Sequence, residues 1–338
     1  MELPTDFTPL LPWFEAHRRP MPWRENPTPY RVWVSEIMLQ QTQIATAWNY
    51  FLRFTDCFPT VESLARADLE QVLKLWEGLG YYSRARNLHR AAQVVVRDLG
   101  GKLPTKAAEL ERLPGIGAYT AAAIASICHG ESVAVVDGNV ARVCARLGLL
   151  KADFSKLPAR RRLAEMLRPS VVASGDAGAF NQAMMELGET VCLAHGGARC
   201  EACPLSGECL AWAKGVCAEY PVSKPRTALP VRHEVGVIVG DGERVALVRR
   251  EGNGLLGGLY ELPAVAAGRN WRKRFADAYF PLSEVRRLGA VRHRFSHFEL
   301  RLDVYRGEGG GERVAWKLKP VSTAHRKALG LLPSRENG

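Results

Sequence analysis

The stretch LPGIGAYTAAAIASICHGESVAVVD, residues 113–137, constrains the fold of this chain more than any other. Gly115 and Gly117 permit positive φ angles in a turn, and the Ala-rich segment that follows predicts a helix. A glycine turn that opens a helix presents backbone N–H groups at the positive end of the helix dipole, which suits an anion such as phosphate. Asp137 lies between an apolar run and a Gly-Asn turn. Taken alone, the pattern favours a loop–helix corner with a capping aspartate.

Length and charge bound the class of protein. The chain has 338 residues, which suggests about two domains, and a formal net charge of +11. A basic chain favours a polyanionic partner, with nucleic acid the first candidate. We find no apolar run near the ~20 residues that span a bilayer, and the N-terminus shows no signal-peptide pattern. We therefore expect a cytoplasmic protein, nucleoid-associated if bacterial, without membrane contact and without structural disulfides.

Helical periodicity dominates the first two thirds of the chain. It predicts helices at 7–18, 30–54, 63–76, 83–97, 105–112 and 118–129, with no convincing strand before about residue 215. Glu36, Gln40 and Gln43 share one face of the predicted helix 30–54. A carboxylate and two amides on one face can contact a base edge or a phosphodiester, although such a face is more often simply solvated.

The segment GLGYYS, residues 78–83, places two tyrosines on a glycine-rich turn. Arg84 and Arg86 follow, and aromatic rings beside cations suit stacking on nucleic-acid bases. The alternative is an aromatic ring that packs beneath a turn.

Four cysteines form the pattern C-x7-C-x2-C-x5-C: Cys192, Cys200, Cys203 and Cys209. In a reduced compartment they predict a zinc site or an iron–sulfur cluster, and spacing alone favours zinc. His195 lies in the first gap and is expected to face solvent. The other four cysteines show no ligand spacing, and three of them are expected to be core thiols: Cys57, Cys128 and Cys144.

The pattern changes near residue 219. The segment EYPVSKPRTALPVR, residues 219–232, reads as a linker rich in proline and basic residues. Strand patterns VGVIV and VALVRR flank a turn at residues 240–242, and a helix near 271–278 precedes the strand FELRLDVYR. These elements predict an α+β module.

The stretch that ends at Asp137 resembles the helix-hairpin-helix and Gly/Pro-Asp motif of a superfamily of base-excision DNA glycosylases. SEIMLQQTQ, GLGYY, the cysteine motif and the C-terminal RHRFSH loop are similar to the MutY-type adenine-specific branch. The resemblance covers nearly the whole chain and implies a multidomain fold: an all-α glycosylase domain with a [4Fe–4S] cluster loop, and a C-terminal α+β Nudix-like domain. The family cysteine pattern has six residues in its first gap, whereas this chain has seven.

The resemblance also implies domain bounds. Residues 1–218 would form the helical catalytic region, with about 28–133 as a six-helix barrel-type subdomain and 1–27 with 134–218 as the iron–sulfur subdomain. Residues 219–231 would be the linker, and 232–332 the domain that recognises 8-oxoguanine. A Nudix hydrolase needs a glutamate-rich helix for Mg²⁺, and RNWRKRFADAY is not one. We therefore expect this domain to bind and not to hydrolyse nucleotides.

Site roles carried over from the family fall into three sets. In the catalytic set, Glu36 is the acid, Asp137 serves the sugar, and Tyr119 and Asn139 orient Asp137 and the sugar. The set that contacts DNA or the adenine comprises Arg24, Gln40, Gln41, Tyr81, Leu113, Gly115, Gly117, Glu186, Phe295, Ser296 and His297. The cluster ligands are Cys192, Cys200, Cys203 and Cys209. Gln41 would enter the base stack, which requires helix 30–54 to end or bend there.

The implied reaction is hydrolysis of the N-glycosidic bond of adenine opposite 8-oxoguanine or guanine in double-stranded DNA, by a monomer. Burial of Glu36 near Trp33 and Ile37 would raise its pKa so that it can protonate adenine, and Asp137 would stabilise the sugar cation. The bifunctional endonuclease III branch has a lysine where this chain has Tyr119, so we expect no strand cleavage. The alternatives are an endonuclease III-like enzyme for oxidised pyrimidines and a non-catalytic iron–sulfur DNA-binding protein.

Overall fold

The chain folds into two units. The computed structural model describes residues 3, 6–195, 197–222, 228–252 and 254–332. One unit, Met1–Ala65 with Arg90–Pro225, is called the helical unit; the other, Arg66–His89 with Arg226–Gly338, is called the sheet unit. The predicted division had placed 66–89 in the catalytic region. The junction near residue 225 falls inside the predicted linker, of which residues 223–227 lie outside the described part of the chain.

Helices account for all regular structure described before residue 231, as the sequence predicted. In chain order they are α1 (Leu10–His17), α2 (Pro22–Glu25), α3 (Pro29–Leu39), α4 (Ile44–Cys57), α5 (Val61–Arg66), α6 (Leu69–Leu75), α7 (Ser83–Leu99), α8 (Ala107–Leu110), α9 (Ala118–His129), α10 (Gly138–Leu147), α11 (Leu157–Ala173), α12 (Ala177–Thr190) and α13 (Leu210–Ala213). Short 3-10 turns lie at Cys200–Ala202, Ser206–Glu208 and Cys217–Glu219. None of the described helices has the length and apolar character that a bilayer span requires.

The prediction of one helix over residues 30–54 is wrong. Gln40 leaves the helical region with ψ 113°, and Gln43 is the extended N-cap of α4. Between them Gln41 has a φ of +56°. The Thr42 hydroxyl donates to the Gln40 carbonyl at 3.3 Å, a local bond that competes with helix continuation.

The predicted helix 63–76 is likewise two helices. Asp68 adopts an extended conformation as the N-cap of α6, and the Ala67 carbonyl bonds to the His89 ring at 2.9 Å instead of to a helical N–H. The prediction for 105–112 was too long, since α8 ends at Leu110. Helix α9 matches its prediction, because Gly117 precedes it and Gly130, with a φ of +65°, ends it in the left-handed conformation.

The helical unit builds its main core from α1, α10, α11 and α12. Phe14, Cys144, Leu167 and Phe180 are among its buried members. Helix α9 packs against α3, α8 and α12, and its alanines allow close approach on more than one side. This packing brings the first turns of α9 and α10 to the same region as the middle of α3.

The sheet unit contains β1 (Val231–Ile238), β2 (Arg244–Ala246), β3 (Val248–Arg249), β4 (Tyr260–Glu261), β5 (Ala264–Ala266), β6 (Leu282–Arg294), β7 (Glu299–Gly309) and β8 (Arg313–Ala315), with α14 (Trp271–Ala278) and α15 (Thr323–Leu329). Four strands form a sheet in the order β5-β1-β7-β6, with β1 and β7 parallel. Alternate residues of β1 serve opposite faces: Val237 packs with Phe275 of α14, and Ile238 packs with Ala328 of α15.

Strand β6 was not predicted. Its sequence LSEVRRLGAVRHR lacks clean alternation, because it lies at the sheet edge and most of its residues remain at least partly exposed. Helix α6 and its neighbours pack within this unit: Lys319 Nζ lies 2.8 Å from Glu70 Oε1, and Glu77 Oε1 accepts from the Val321 N–H at 2.9 Å.

Candidate active site

A cleft of about 640 Å³ opens in the helical unit. Residues from α1, α2, α3, α4, α9, α10 and α12 line it, together with the segments that precede α2 and α4. Six predicted site residues are among its walls: Arg24, Glu36, Tyr119, Asp137, Asn139 and Glu186. These side chains are far apart in the sequence, and the packing of the helices brings them together in the cleft.

Glu36 lies on the buried side of α3, a helix that begins at Pro29 with Thr28 as its cap. Its side chain is 6% exposed and lies between the buried residues Trp33 and Ile37 in sequence. Burial raises the pKa of Glu36 to about 7, although a hydrogen bond from Tyr119 opposes the shift. The predicted direction of the pKa is confirmed, and Glu36 can hold a proton near neutral pH.

Asp137 is the N-cap of α10. Its Oδ1 accepts a hydrogen bond of 2.7 Å from the Val140 N–H. Burial raises the pKa of Asp137, while the amides of Val140 and Asn139 and the charge of Arg142 act against that rise. The helix dipole also favours a carboxylate at this position. Burial is the largest influence and the pKa of Asp137 is raised, while the Val140 and Asn139 amides are the groups that stabilise its ionised form.

Tyr119 and Asn139 lie in the first turns of α9 and α10. The Tyr119 hydroxyl donates to Glu36 Oε2 at 2.5 Å and also contacts the Met185 sulfur at 3.5 Å. Asn139 accepts from Arg142 through Oδ1 at 2.8 Å and donates to Glu189 at 3.3 Å. Tyr119 thus contacts the proposed acid, and Asn139 follows Asp137 at the N-terminus of α10.

Glu186 is held by two arginines. The Arg19 Nε donates to Oε1 at 2.5 Å, and the Arg24 guanidinium donates to Oε2 at 2.9 Å. Burial alone raises the pKa of Glu186, but the two cations outweigh it and the pKa is lowered. Arg24 also donates to Gln182 at 3.2 Å. The cleft wall therefore carries a fixed charge cluster, of which sequence analysis missed Arg19 because nothing local links it to Glu186.

The hairpin lies between α8 and α9. Leu113 is buried and Gly115 has a φ of +76°. Gly117 is the N-cap of α9, and a Cβ added there would meet nothing within 4 Å. The start of α9 is thus open at this glycine, as binding of a phosphate to the first N–H groups requires.

Gln40 and Gln41 lie at the break between α3 and α4. The Gln40 amide donates to Thr120 Oγ1 of α9 at 3.3 Å, which ties the break to the hairpin helix. Gln41 is exposed and holds a left-handed backbone conformation, which is strained for a residue other than glycine. The bend that the predicted role of Gln41 required is present.

Tyr81 lies in the sheet unit and shares the unusual backbone of Gln41. Its φ is +48°, its side chain is 41% exposed, and the Arg84 guanidinium lies 5.6 Å from its ring centre. Tyr82 is the buried partner, and its hydroxyl accepts from the Gly78 N–H at 3.0 Å. Each tyrosine thus matches one of the two alternatives for this turn. Tyr82 packs beneath it, and Tyr81 is exposed, as stacking on a base would require.

The predicted 8-oxoguanine loop is the hairpin between β6 and β7. Ser296 and His297 form its exposed turn, which the Phe295 N–H closes on the Phe298 carbonyl at 2.9 Å. Phe295 itself stacks on Phe298 with ring centres 4.7 Å apart. Two of the three predicted tip residues are therefore exposed, and Phe295 packs back against the core.

All four predicted cluster ligands line one largely apolar pocket beside α10 and α12. Within the described residues, no three His, Cys, Asp or Glu side chains are grouped so that they could hold a metal ion. Four thiols do line the same pocket, and four thiolates are the donor set of a [4Fe–4S] cluster, so these residues fit that group by their chemistry. Arg146 donates to the Cys192 sulfur at 3.2 Å, and His195 is exposed, as predicted.

The burial of the remaining cysteines differs in part from the prediction. Cys144 is buried in the core, but Cys128 is half-buried and Cys57 is exposed, so the core assignment of Cys57 is wrong. It lies at the last position of α4, where no neighbour covers its side chain fully. Cys217, for which no ligand spacing was found, lines the same pocket as the four predicted ligands.

Two family models match the chain. The one described as "HhH-GPD superfamily base excision DNA repair protein" matches residues 34–169, and the one described as "NUDIX domain" matches residues 234–331. The first range contains Glu36, Tyr119 and Asp137. The second contains the β6–β7 hairpin.

Curated relatives named "Adenine DNA glycosylase" align with most of the chain. The human protein is 37% identical over 88% of this chain and 65% of its own length. The rat protein is 36% identical over 88% of this chain and 69% of its own, and that of Buchnera aphidicola subsp. Acyrthosiphon pisum is 30% identical over 87% and 84%. This chain therefore spans about two thirds of the length of these mammalian relatives.

Solved structures of similar fold cover 61% of the chain. A thermostable thymine-DNA glycosylase has a TM-score of 0.55 and 28% identity over 61% of this chain and 94% of its own. A trapped endonuclease III–DNA covalent intermediate has a TM-score of 0.52 over 61% of this chain and 93% of its own. At 21% identity, the second likeness concerns the fold alone.

Proposed function

Because the chain belongs to the adenine DNA glycosylases, within the HhH-GPD superfamily, we propose that it hydrolyses the N-glycosidic bond of adenine mispaired with 8-oxoguanine or guanine in double-stranded DNA. The observation that carries the proposal is the pairing of Glu36 and Asp137 in one cleft. Glu36 has a pKa of about 7 and Asp137 caps a helix N-terminus. We assign the acid role to Glu36 and the carboxylate role to Asp137, a division that two carboxyl groups in different environments allow.

The acid step belongs to Glu36. Adenine leaves poorly as an anion, and a proton on N7 makes it a neutral leaving group. Tyr119 occupies Oε2 of Glu36, so Oε1 is the oxygen that carries and donates the proton. General acid catalysis of this kind contributes about 10²–10⁴-fold.

The cation step belongs to Asp137. Departure of the base leaves an oxocarbenium-like sugar, which a nearby carboxylate stabilises either electrostatically or by a transient covalent bond. Water then adds to the sugar and completes hydrolysis. Asn139, adjacent in the same turn, helps to orient this carboxylate and the sugar.

Access to the bond requires the adenine to leave the helix stack, at a cost of a few kcal/mol. We assign the replacement of the lost stacking to Gln41 and Tyr81, which are both exposed with left-handed backbones. Backbone amides around Gly115 and Gly117 would hold a phosphate. In the sheet unit, Ser296 and His297 would contact the 8-oxoguanine.

We further propose a monofunctional enzyme, because Tyr119 stands where a Schiff-base lysine would be needed and its phenol forms no imine. The [4Fe–4S] cluster, when bound, would supply thiolate–iron bonds that fix the loop of residues 192–209. The protein would act as a monomer in the cytoplasm, on chromosomal DNA.

The test is single-turnover cleavage of a duplex with one adenine opposite 8-oxoguanine, followed by hot alkali. A duplex with thymine glycol opposite adenine is the comparison, and Glu36→Gln and Asp137→Asn are run alongside. We expect alkali-dependent breaks at that adenine, lost in both variants. Cleavage of the thymine glycol duplex instead, or a borohydride-trapped adduct in high yield, would contradict the proposal.

A further inference from the structure

The cluster pocket contains one more thiol than a cluster needs. Cys217 lines it together with Cys192, Cys200, Cys203 and Cys209. A [4Fe–4S] cluster takes four thiolates. The Sγ atoms of Cys200 and Cys217 lie 3.8 Å apart, which is van der Waals contact and too long for a disulfide. Two sulfurs at this separation can compete for the same iron.

The backbone of Cys217 is fixed at the pocket. Arg146 is 5% exposed, and its Nε donates to the Cys217 carbonyl at 2.9 Å. The same guanidinium donates to the Cys192 sulfur at 3.2 Å. The buried Arg146 side chain therefore contacts both the predicted ligand Cys192 and the fifth cysteine, Cys217.

Cys200 is the cysteine with which Cys217 would compete for an iron. It opens a 3-10 turn and ends the seven-residue gap that follows Cys192. We propose that Cys217 is an alternative ligand that exchanges with Cys200 at one iron, an inference that rests on the proposed [4Fe–4S] cofactor. In the exchange the iron–sulfur bond to Cys200 breaks as the bond to Cys217 forms. The Cys217 proton passes to the departing Cys200 thiolate, so no electron is gained or lost.

The first test measures iron, acid-labile sulfide and the visible thiolate-to-iron absorption of the full chain, reconstituted without oxygen. Cys200→Ala and Cys217→Ala should each keep about four irons per chain, whereas the double variant should lose the cluster. Cys203→Ala is the matched control and should lose it as a single change. Loss of the cluster in Cys200→Ala, to the same extent as in the double variant, would overturn the inference.

A second measurement needs no variant. The cluster-loaded wild-type chain is alkylated briefly and its peptides are mapped by mass spectrometry. Exchange predicts that Cys200 and Cys217 are each labelled in part, in different molecules, while the three shared ligands are protected. Labelling of Cys217 alone would show a fixed ligand set and overturn the inference. A wild-type chain that binds no iron would instead refute the proposed cofactor.

Discussion

The Tyr119 hydroxyl donates a 2.5 Å hydrogen bond to Glu36 Oε2, and so joins the start of α9 to the buried side of α3. A donor to a carboxylate favours its ionised form, whereas burial favours the protonated form. Burial is the larger influence, and the pKa of Glu36 is about 7. Tyr119 therefore keeps Glu36 close to neutral pH, where an acid can both hold and release its proton.

Activity should fall as the pH rises through the pKa of Glu36. The protonated acid is needed, so kcat/KM for adenine excision should drop about tenfold per pH unit above about 7. Tyr119→Phe removes the bond that lowers this pKa, so the midpoint should move to higher pH. Initial rates from pH 5.5 to 9 measure both. An unchanged midpoint in Tyr119→Phe would contradict the electrostatic account.

The role of Asp137 in chemistry can be separated from its role as a cap. Asn also caps helices well, so Asp137→Asn should retain folding stability within about 1 kcal/mol. Its single-turnover rate should fall by about 100-fold or more, because the sugar cation loses its counter-charge. Asp137→Ala should lose about 1 kcal/mol through the missing cap. Urea unfolding and excision rates are compared, and a stable, fully active Asn variant would refute the charge role.

The Glu186 cluster should stabilise the fold in a pH-dependent way. Glu186 has a lowered pKa, so its stabilisation is present above the unfolded pKa near 4.5 and is lost as the pH falls. Glu186→Gln should lower the free energy of unfolding by about 2–3 kcal/mol at pH 7, a modest value because Arg19 is partly exposed. The difference from wild type should shrink at pH 4. A difference in unfolding free energy that does not depend on pH would mean that packing, and not the charge of Glu186, causes the loss of stability.

Gly188 should be intolerant of a side chain. A Cβ built on it would lie 2.6 Å from Asn139 Cβ, across the contact between α12 and α10. Gly188→Ala should cost about 1–3 kcal/mol through overpacking and displace the N-terminus of α10, where Asp137 lies. Gly207→Ala is the control, because an added Cβ there meets nothing within 4 Å. Equal stability and excision rates in the two variants would contradict this prediction.

The β6–β7 hairpin tip should affect selectivity and not stability. Ser296→Ala and His297→Ala remove exposed polar groups, so thermal stability should change by less than about 0.5 kcal/mol. The preference for 8-oxoguanine over guanine opposite adenine should fall by about tenfold. Competition between the two duplexes measures it, with Glu312→Gln as an exposed control. A preference that survives both variants would place recognition elsewhere.

Local patterns were enough for part of this protein. The bounds of α9 and α14, the cap position of Asp137 and the change from helices to strands follow from residues within about one turn of each other. Periodicity did not predict the break at Gln40–Gln43, which only the role implied for Gln41 required, because a side-chain bond to the backbone competes with the helix there. The edge strand β6 was missed because its exposed faces carry no alternation.

The sequence by itself singled out Glu36, Asp137 and the four cysteines of the cluster motif as candidates, since each stands in a motif of fixed spacing. Only the tertiary structure decided their environment. Tyr119 reaches Glu36 across 83 residues of chain, and Arg19 reaches Glu186 across 167. Cys217 joins the cluster pocket although it has no ligand spacing. The burial of a side chain, its pKa and its hydrogen-bond partners depend on which helices pack together. Those helices are far apart in the chain, and no local sequence pattern shows which of them meet.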